Sequence, residues 1–200
     1  MRIATLTLAG LGLIAAAGPL YAQEPRPPGV THAVDAVIGN SVLQLRYLTP
    51  APIARVAGDL DYGLLLSENR DIVASAALMF HTDLDILPRL SLEIGPQGYV
   101  GLLAAQQKTD IFAIAGGANA RYELIERIGL TVFGSAFYSP GVLTFGNAHN
   151  LYDFTAGAEL KFTSRITGLA GYRWFKLTLV GEPDERVANE VFAGLRWRLE

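Results

Sequence analysis

The 200-residue chain contains no cysteine. That excludes disulfides, thiolate zinc sites, iron–sulfur clusters and cysteine nucleophiles together. Charge is scarce too: Asp, Glu, Lys and Arg make up 18% of the residues and sum to a formal −3. No basic field exists to attract phosphates, so nucleic acid is not an expected partner. Past residue 22 no apolar run reaches the ~18 residues of a membrane-spanning helix, and no long stretch carries a 3.6-residue period. What is plentiful is apolar or small. Half of the residues are hydrophobic, aromatics contribute 10%, and there are 21 glycines. Such a chain is too apolar for disorder and points to β-structure joined by turns.

The N-terminus has the three-part layout of a secretory signal peptide. Arg2 is followed by an uncharged Leu-, Ala- and Gly-rich run from Ile3 to Ala17, and Leu20-Tyr21-Ala22 offers a cleavage site before Gln23. The alternative, a helical anchor, is opposed by a run shorter than the ~20 residues of a span and by Pro19 at its end. Residues 1–22 are therefore expected to be removed. A flexible lead-in over 23–32, with Glu24-Pro25-Arg26-Pro27-Pro28-Gly29 polyproline-like, should precede a single domain over 33–200. An exported chain without cysteine suits a bacterial envelope.

The mature chain has period two. Tyr152, Phe154, Ala156, Ala158, Leu160 and Phe162 alternate with Asp153, Thr155, Gly157, Glu159, Lys161 and Thr163. Val191, Ala193, Leu195, Trp197 and Leu199 alternate with Glu190, Gly194, Arg196 and Arg198, Phe192 being the exception on the polar side. Segment 56–66 sets Val56, Gly58, Leu60, Tyr62, Leu64 and Leu66 against Asp59, Asp61 and Gly63. Strict alternation over such lengths is a strand signature. Weaker versions occupy 42–48 and 111–123, and further strands are expected near 71–81, 89–104, 127–138 and 166–178. A first strand over 33–38 should turn at Gly39-Asn40. The total is about ten, with no convincing long helix.

Alternation does not say which face is wet. A soluble sandwich hides its apolar face, whereas an outer-membrane barrel turns it to lipid. Three features favour the barrel. Many segments exceed the five or six residues usual in globular strands and match a tilted span of ~9–11 residues with overhang. Tyr47, Phe80, Tyr122, Tyr138, Tyr152, Trp174 and Trp197 lie near segment ends, where interface girdles sit. The polar face carries both signs in near balance, as a narrow lumen requires of charges that must pair. If the last strand ends in the periplasm, the two longest connections, 139–150 and 179–188, fall outside the cell. Thr163-Ser164-Arg165 and the turns near Pro50-Ala51-Pro52 and Pro88 then fall inside. The fold expected is an all-β, antiparallel up-and-down transmembrane β-barrel with an even number of strands, ten or eight.

Phe133-Gly134-Ser135-Ala136-Phe137-Tyr138-Ser139-Pro140 leads into a loop and then Leu151-Tyr152-Asp153-Phe154, followed by Gly168-Leu169-Ala170-Gly171-Tyr172-Arg173-Trp174-Phe175. This succession resembles the YfaZ family of Gram-negative outer-membrane proteins, with an aromatic-Pro motif, a loop and a Gly-Tyr-Arg strand in order. Gly39-Asn40 before Leu45-Arg46-Tyr47 and the arm from Asp59 to Asn69 look similar too, so the resemblance runs from about residue 33 to 199. It implies location in the bacterial outer membrane and a small barrel fold, and it assigns no chemistry. The surroundings implied are outer-membrane lipid and lipopolysaccharide, and the partner is the barrel-assembly machinery. The oligomeric state stays open. One departure concerns that machinery, which reads a terminal aromatic: this chain ends Leu195-Arg196-Trp197-Arg198-Leu199-Glu200.

Chemistry is thinly signalled. His32, His81 and His149 are the only histidines and stand far apart, so surface or loop positions are expected rather than a metal site. Ser139 could meet His149 only if its loop folds back, and no enzyme is expected. Asp59 and Asp61 share a face and could act as a carboxylate pair, but pairing with an arginine on a neighbouring strand is the plainer expectation. Gly95-Pro96-Gln97-Gly98 lacks the helix and lysine of a phosphate loop and reads as a bulge or bend. No cofactor and no metal are expected. The candidate lumen-lining residues are Arg46, Asp59, Asp61, Arg121, Glu159, Lys161, Arg173, Arg196 and Arg198. The expected role is structural or surface-interacting, through the long outer loops. A narrow channel, with Arg196 and Arg198 as a selectivity ring, and a soluble periplasmic sandwich binding an apolar ligand are the alternatives.

Overall fold

A computed structural model describes residues 32–51, 58–82, 89–104, 109–146, 148–179 and 184–199. The expected signal peptide and most of the lead-in lie outside the described residues, as does Val56. The strands are β1 (Ala33–Gly39), β2 (Val42–Pro50), β3 (Gly58–Ser67), β4 (Ile72–Thr82), β5 (Leu90–Leu103), β6 (Thr109–Ile125), β7 (Leu130–Ser139), β8 (Thr144–Gly146), β9 (Ala148–Lys161), β10 (Ile166–Leu179) and β11 (Glu185–Arg198). Neighbours in sequence pair antiparallel, and β1 pairs with β11 from Ala33↔Arg198 to Gly39↔Phe192, which closes the sheet. Ten strands form the wall, and short β8 pairs with the start of β6 as an added rim strand. Closure leaves no unpaired edge along most of the wall, a condition for backbone in lipid.

The register climbs as it goes round. Partners run from Ala36, midway along β1, through Leu45, Leu64, Ala74 and Val100 to Phe112, near the start of β6. That stagger tilts the strands, as closure demands. The same row of residues faces outward, with Leu45 42%, Val100 55% and Phe112 43% exposed. A soluble sandwich would bury such a face; here it forms the outer surface of a closed barrel, which overturns the sandwich alternative.

Aromatic side chains collect at two levels of that surface. Near the end where β1 starts and β11 finishes, called the inner end, Tyr47 stacks on Tyr62 and on His32, with ring centroids 6.5 and 6.1 Å apart. Trp197 and Tyr122 lie exposed nearby. Towards the outer end Tyr138, Tyr152 and Trp174 form a ladder across β7, β9 and β10.

Two details of the connections differ from the sequence reading. The outer segment 139–150 is largely strand, because β8 pairs with β6 and β9 starts at Ala148. Likewise β11 begins at Glu185, which shortens the expected 179–188 loop. The expected turns near Pro52 and Pro88 lie outside the described residues, and among the outer connections those from Gly39 to Val42 and from Ser67 to Ile72 are short. At Gly95-Pro96 no extra residue bulges out. The β4–β5 ladder skips between Ala77↔Gln97 and Phe80↔Ile94, while the β5–β6 ladder runs on. Proline has no N–H to donate, so a one-sided interruption is what its chemistry allows.

Candidate functional site

The interior is the place to look for function, because alternation sends every second side chain into it. It has two layers. The outer layer is apolar. Val42, Leu65, Val73, Tyr99, Leu103, Ile111, Phe137, Leu151, Phe175 and Leu177 come from the outer ends of β2, β3, β4, β5, β6, β7, β9 and β10, and all are buried in one cluster. Leu151, Phe175 and Leu177 are fully inaccessible. In a barrel of this girth inward side chains nearly meet across the lumen, and these fill it with a hydrophobic plug.

Beneath the plug the lining is charged. Tyr99 joins the layers: its ring stacks on Phe175, centroids 5.7 Å apart, and its hydroxyl donates to Asp153 Oδ2 at 3.0 Å. Arg173 grips the same carboxylate with both Nε (3.1 Å) and Nη2 (2.7 Å), while its guanidinium carbon lies 5.5 Å from the Phe175 ring. Arg46 pairs with Asp61 on the adjacent strand.

A second network crosses the lumen. Arg196 binds Asp35 through Nε (2.7 Å) and Nη2 (2.8 Å), and Glu159 through Nη1 (3.0 Å). Arg121 lies 3.8 Å from Glu159 and 3.5 Å from Glu93. His81 stands between Glu93 and Asp59, at 3.7 and 3.0 Å. From Asp35 to Glu93 the two guanidinium groups alternate with the carboxylates, as Coulomb's law favours where water is scarce. Between the networks lies a cavity of about 60 Å³ whose lining includes Gln44, Ser75, Ser135 and Phe192. At ~10–15 Å³ per water it holds a few waters and no wide channel.

Of the nine candidate lining residues, Arg46, Asp61, Arg121, Arg173 and Arg196 border this cavity. Asp59 and Glu159 are buried in the crossing network. Lys161 and Arg198 sit at the inner rim and form no ion pair among the described residues, whereas Arg196 is buried between Asp35 and Glu159. Asp59 and Asp61 part company: Asp61 takes the neighbouring arginine, Asp59 takes His81.

His81 is a correction to the reading of the histidines, since it lies on β4 and faces inward rather than on a surface or loop. Glu190, read as a lumen charge, faces inward and also caps the β1–β2 turn, accepting from Ser41 N (2.7 Å) and Ser41 Oγ (2.8 Å). Gly39 makes room for it, because a Cβ there would strike the Glu190 carboxylate. Ser139 is buried, with its hydroxyl 2.9 Å from Thr144 Oγ1.

Sequence reasoning missed the plug, together with Asp35 and His81. Asp35 had a signal: it is the lone charge between Ala33 and Ile38, at the parity of Val37.

Comparison with known proteins follows the same lines. Among curated proteins none matches the chain. Among solved structures it is similar to a bacterial polysaccharide outer membrane secretin, at TM-score 0.49 and 15% identity, over 82% of this chain and 58% of that one. The chain thus spans under two thirds of the secretin. It is also similar to the KdgM porin, at TM-score 0.43 and 12% identity over 86% of this chain and 100% of that one. The same porin in complex with disordered oligogalacturonate gives 0.43 and 10%. The family model described as YfaZ precursor matches residues 63–199, which run from β3 to the end of β11. The chain belongs to the YfaZ family.

Proposed function

We propose that this protein is a non-conducting, non-enzymatic barrel of the bacterial outer membrane with a structural or surface-interacting role. The single observation that carries this reading is the filled lumen: among the described residues an apolar plug at the outer end lies over ion-paired side chains that line a cavity of about 60 Å³. An ion entering the plug would shed its hydration among Leu, Val and Phe side chains, which offer no replacement ligands. Most of the lining charges are spent on one another, which leaves few to select a passing solute. What remains available is the outer rim, where β8 and the ends of β6 and β9 stand beyond the end of β7. Lipid and lipopolysaccharide would surround the apolar band, and export would rest on the leader at 1–22.

Potassium efflux from proteoliposomes tests the reading. Vesicles with the refolded protein should leak no faster than empty ones, whereas efflux proportional to protein content would replace this role with the narrow channel.

A further inference from the structure

The inner end of the lumen gathers three metal-ligand side chains on adjacent strands. Asp59 is the second residue of β3, His81 the last but one of β4, and Glu93 the fourth of β5. The register sets them together, with Asp59 opposite Met79, two residues from His81 on the same face, and His81 opposite Glu93. One ligand atom from each lies within 4.8 Å of the other two. The Asp59 and Glu93 side chains are each 7% exposed and His81 is 25% exposed, so this is not a solvated acidic patch.

Two independent features ask for a cation there. His81 Nε2 lies 3.0 Å from Asp59 Oδ2, and Nδ1 faces Glu93 Oε1 at 3.7 Å. A neutral imidazole carries one N–H, so its other nitrogen turns a lone pair towards a carboxylate. The charge count has the same sign. Arg46 with Asp61 and Arg173 with Asp153 cancel one for one. The crossing network instead holds four carboxylates against the guanidinium groups of Arg196 and Arg121, and its uncompensated end is the one at His81.

We propose that Asp59, His81 and Glu93 bind a divalent first-row transition-metal ion of the Zn²⁺ class. One imidazole with two carboxylates is a donor set for such ions, whereas Mg²⁺ and Ca²⁺ take oxygen alone. Zinc bonds of ~2.0–2.2 Å set tetrahedral ligands roughly 3.4 Å apart. The 3.0 Å between His81 Nε2 and Asp59 Oδ2 is close to that spacing, and the Glu93 carboxylate supplies the third ligand from within 4.8 Å of both. Asn119 Nδ2, donating to Glu93 Oε2 at 3.1 Å, orients that carboxylate from outside the ligand set. The ion would tie β3, β4 and β5 together and neutralise the end of the network. The partial exposure of His81 leaves it a way in and a fourth position for water.

The test is calorimetric titration of the metal-stripped, refolded barrel with Zn²⁺, beside His81→Ala, Glu93→Gln and a His149→Ala control. The expected result is one saturable site per chain, kept in the control and weakened at least ~10-fold in the other two, since even outer-shell losses cost that much. Each variant's folding is checked by its boiling-dependent band shift. Should either variant fail to fold, the Co²⁺ spectrum of the unaltered protein decides, with nitrogen and oxygen ligation expected. Three results would overturn the proposal: no saturable site in the unaltered protein, a site that survives His81→Ala, or a Co²⁺ spectrum without an imidazole nitrogen.

Discussion

Arg196→Met should be among the most damaging single changes in the barrel. The guanidinium makes three charge-assisted hydrogen bonds, two to Asp35 and one to Glu159. Asp35 is 1% exposed and no other hydrogen bond reaches its carboxylate among the described residues. Methionine keeps most of the volume and removes every donor. What is left is a buried carboxylate stripped of its hydrogen-bond donors, with only the charge of Arg46 opposite it on β2, a loss that costs ~3–5 kcal/mol. Glu159 retains only the longer contact with Arg121, at 3.8 Å. The double variant Arg196→Met with Asp35→Asn removes the stranded charge and should recover at least ~2 kcal/mol of that loss, because replacing both partners of a buried pair is far cheaper than removing one. Urea unfolding in lipid vesicles, followed by the fluorescence of Trp174 and Trp197, reads both values. A single variant within ~1 kcal/mol of the unaltered protein, or a double variant no better than the single, would refute the claim that the crossing network is dry and coupled.

Three further outcomes follow from the same geometry. Phe175→Ala removes a fully inaccessible ring from the plug and should cost ~3–5 kcal/mol in the same assay; a cost under ~1 kcal/mol would mean the plug is loosely packed. Gly95→Val places a Cβ against the Leu78 carbonyl oxygen, at the point where the β4–β5 ladder skips, and should abolish the boiling-dependent band shift or lower the unfolding midpoint markedly. Unchanged folding would show that the two strands are free to separate there. Leu45→Arg puts a charge on the outward face and should destabilise the barrel by ~2–4 kcal/mol in vesicles if Leu45 lies near the bilayer midplane, whereas a neutral effect would mean that this face is wet.

The strands were legible because contrast was strong. In β9 from Tyr152 onward and in β11 from Glu190 onward, Phe192 apart, polar or small residues mark one face and apolar residues the other, and both strands lie where that contrast runs. Gly39-Asn40 marked the first turn for a physical reason that the sequence hides, the Glu190 carboxylate seated against Gly39. The plug was illegible because contrast vanishes there. Leu151 faces in and Tyr152 out, and Phe175 faces in between the outward Trp174 and Lys176, so the period-two signal weakens where the interior is apolar. The outer 139–150 segment read as a loop for a related reason. His149 and Asn150 begin β9 with polar side chains, and Thr144–Gly146 is too short to show a period at all. The charges on the polar face were legible as a set, but their partners were not. Register decides that Asp61 meets Arg46 and Asp59 meets His81, although the two carboxylates lie only two residues apart on the same strand.

Single-channel recording in planar bilayers tests the filled lumen most directly. The unaltered protein, inserted and verified by its band shift, should give no resolved conductance steps at either polarity. A variant with Phe175→Ala and Leu151→Ala, which thins the plug over the charged layer, should give steps or flickering current if it still folds. Stable, ohmic steps from the unaltered protein would contradict the account and establish an open path through the barrel.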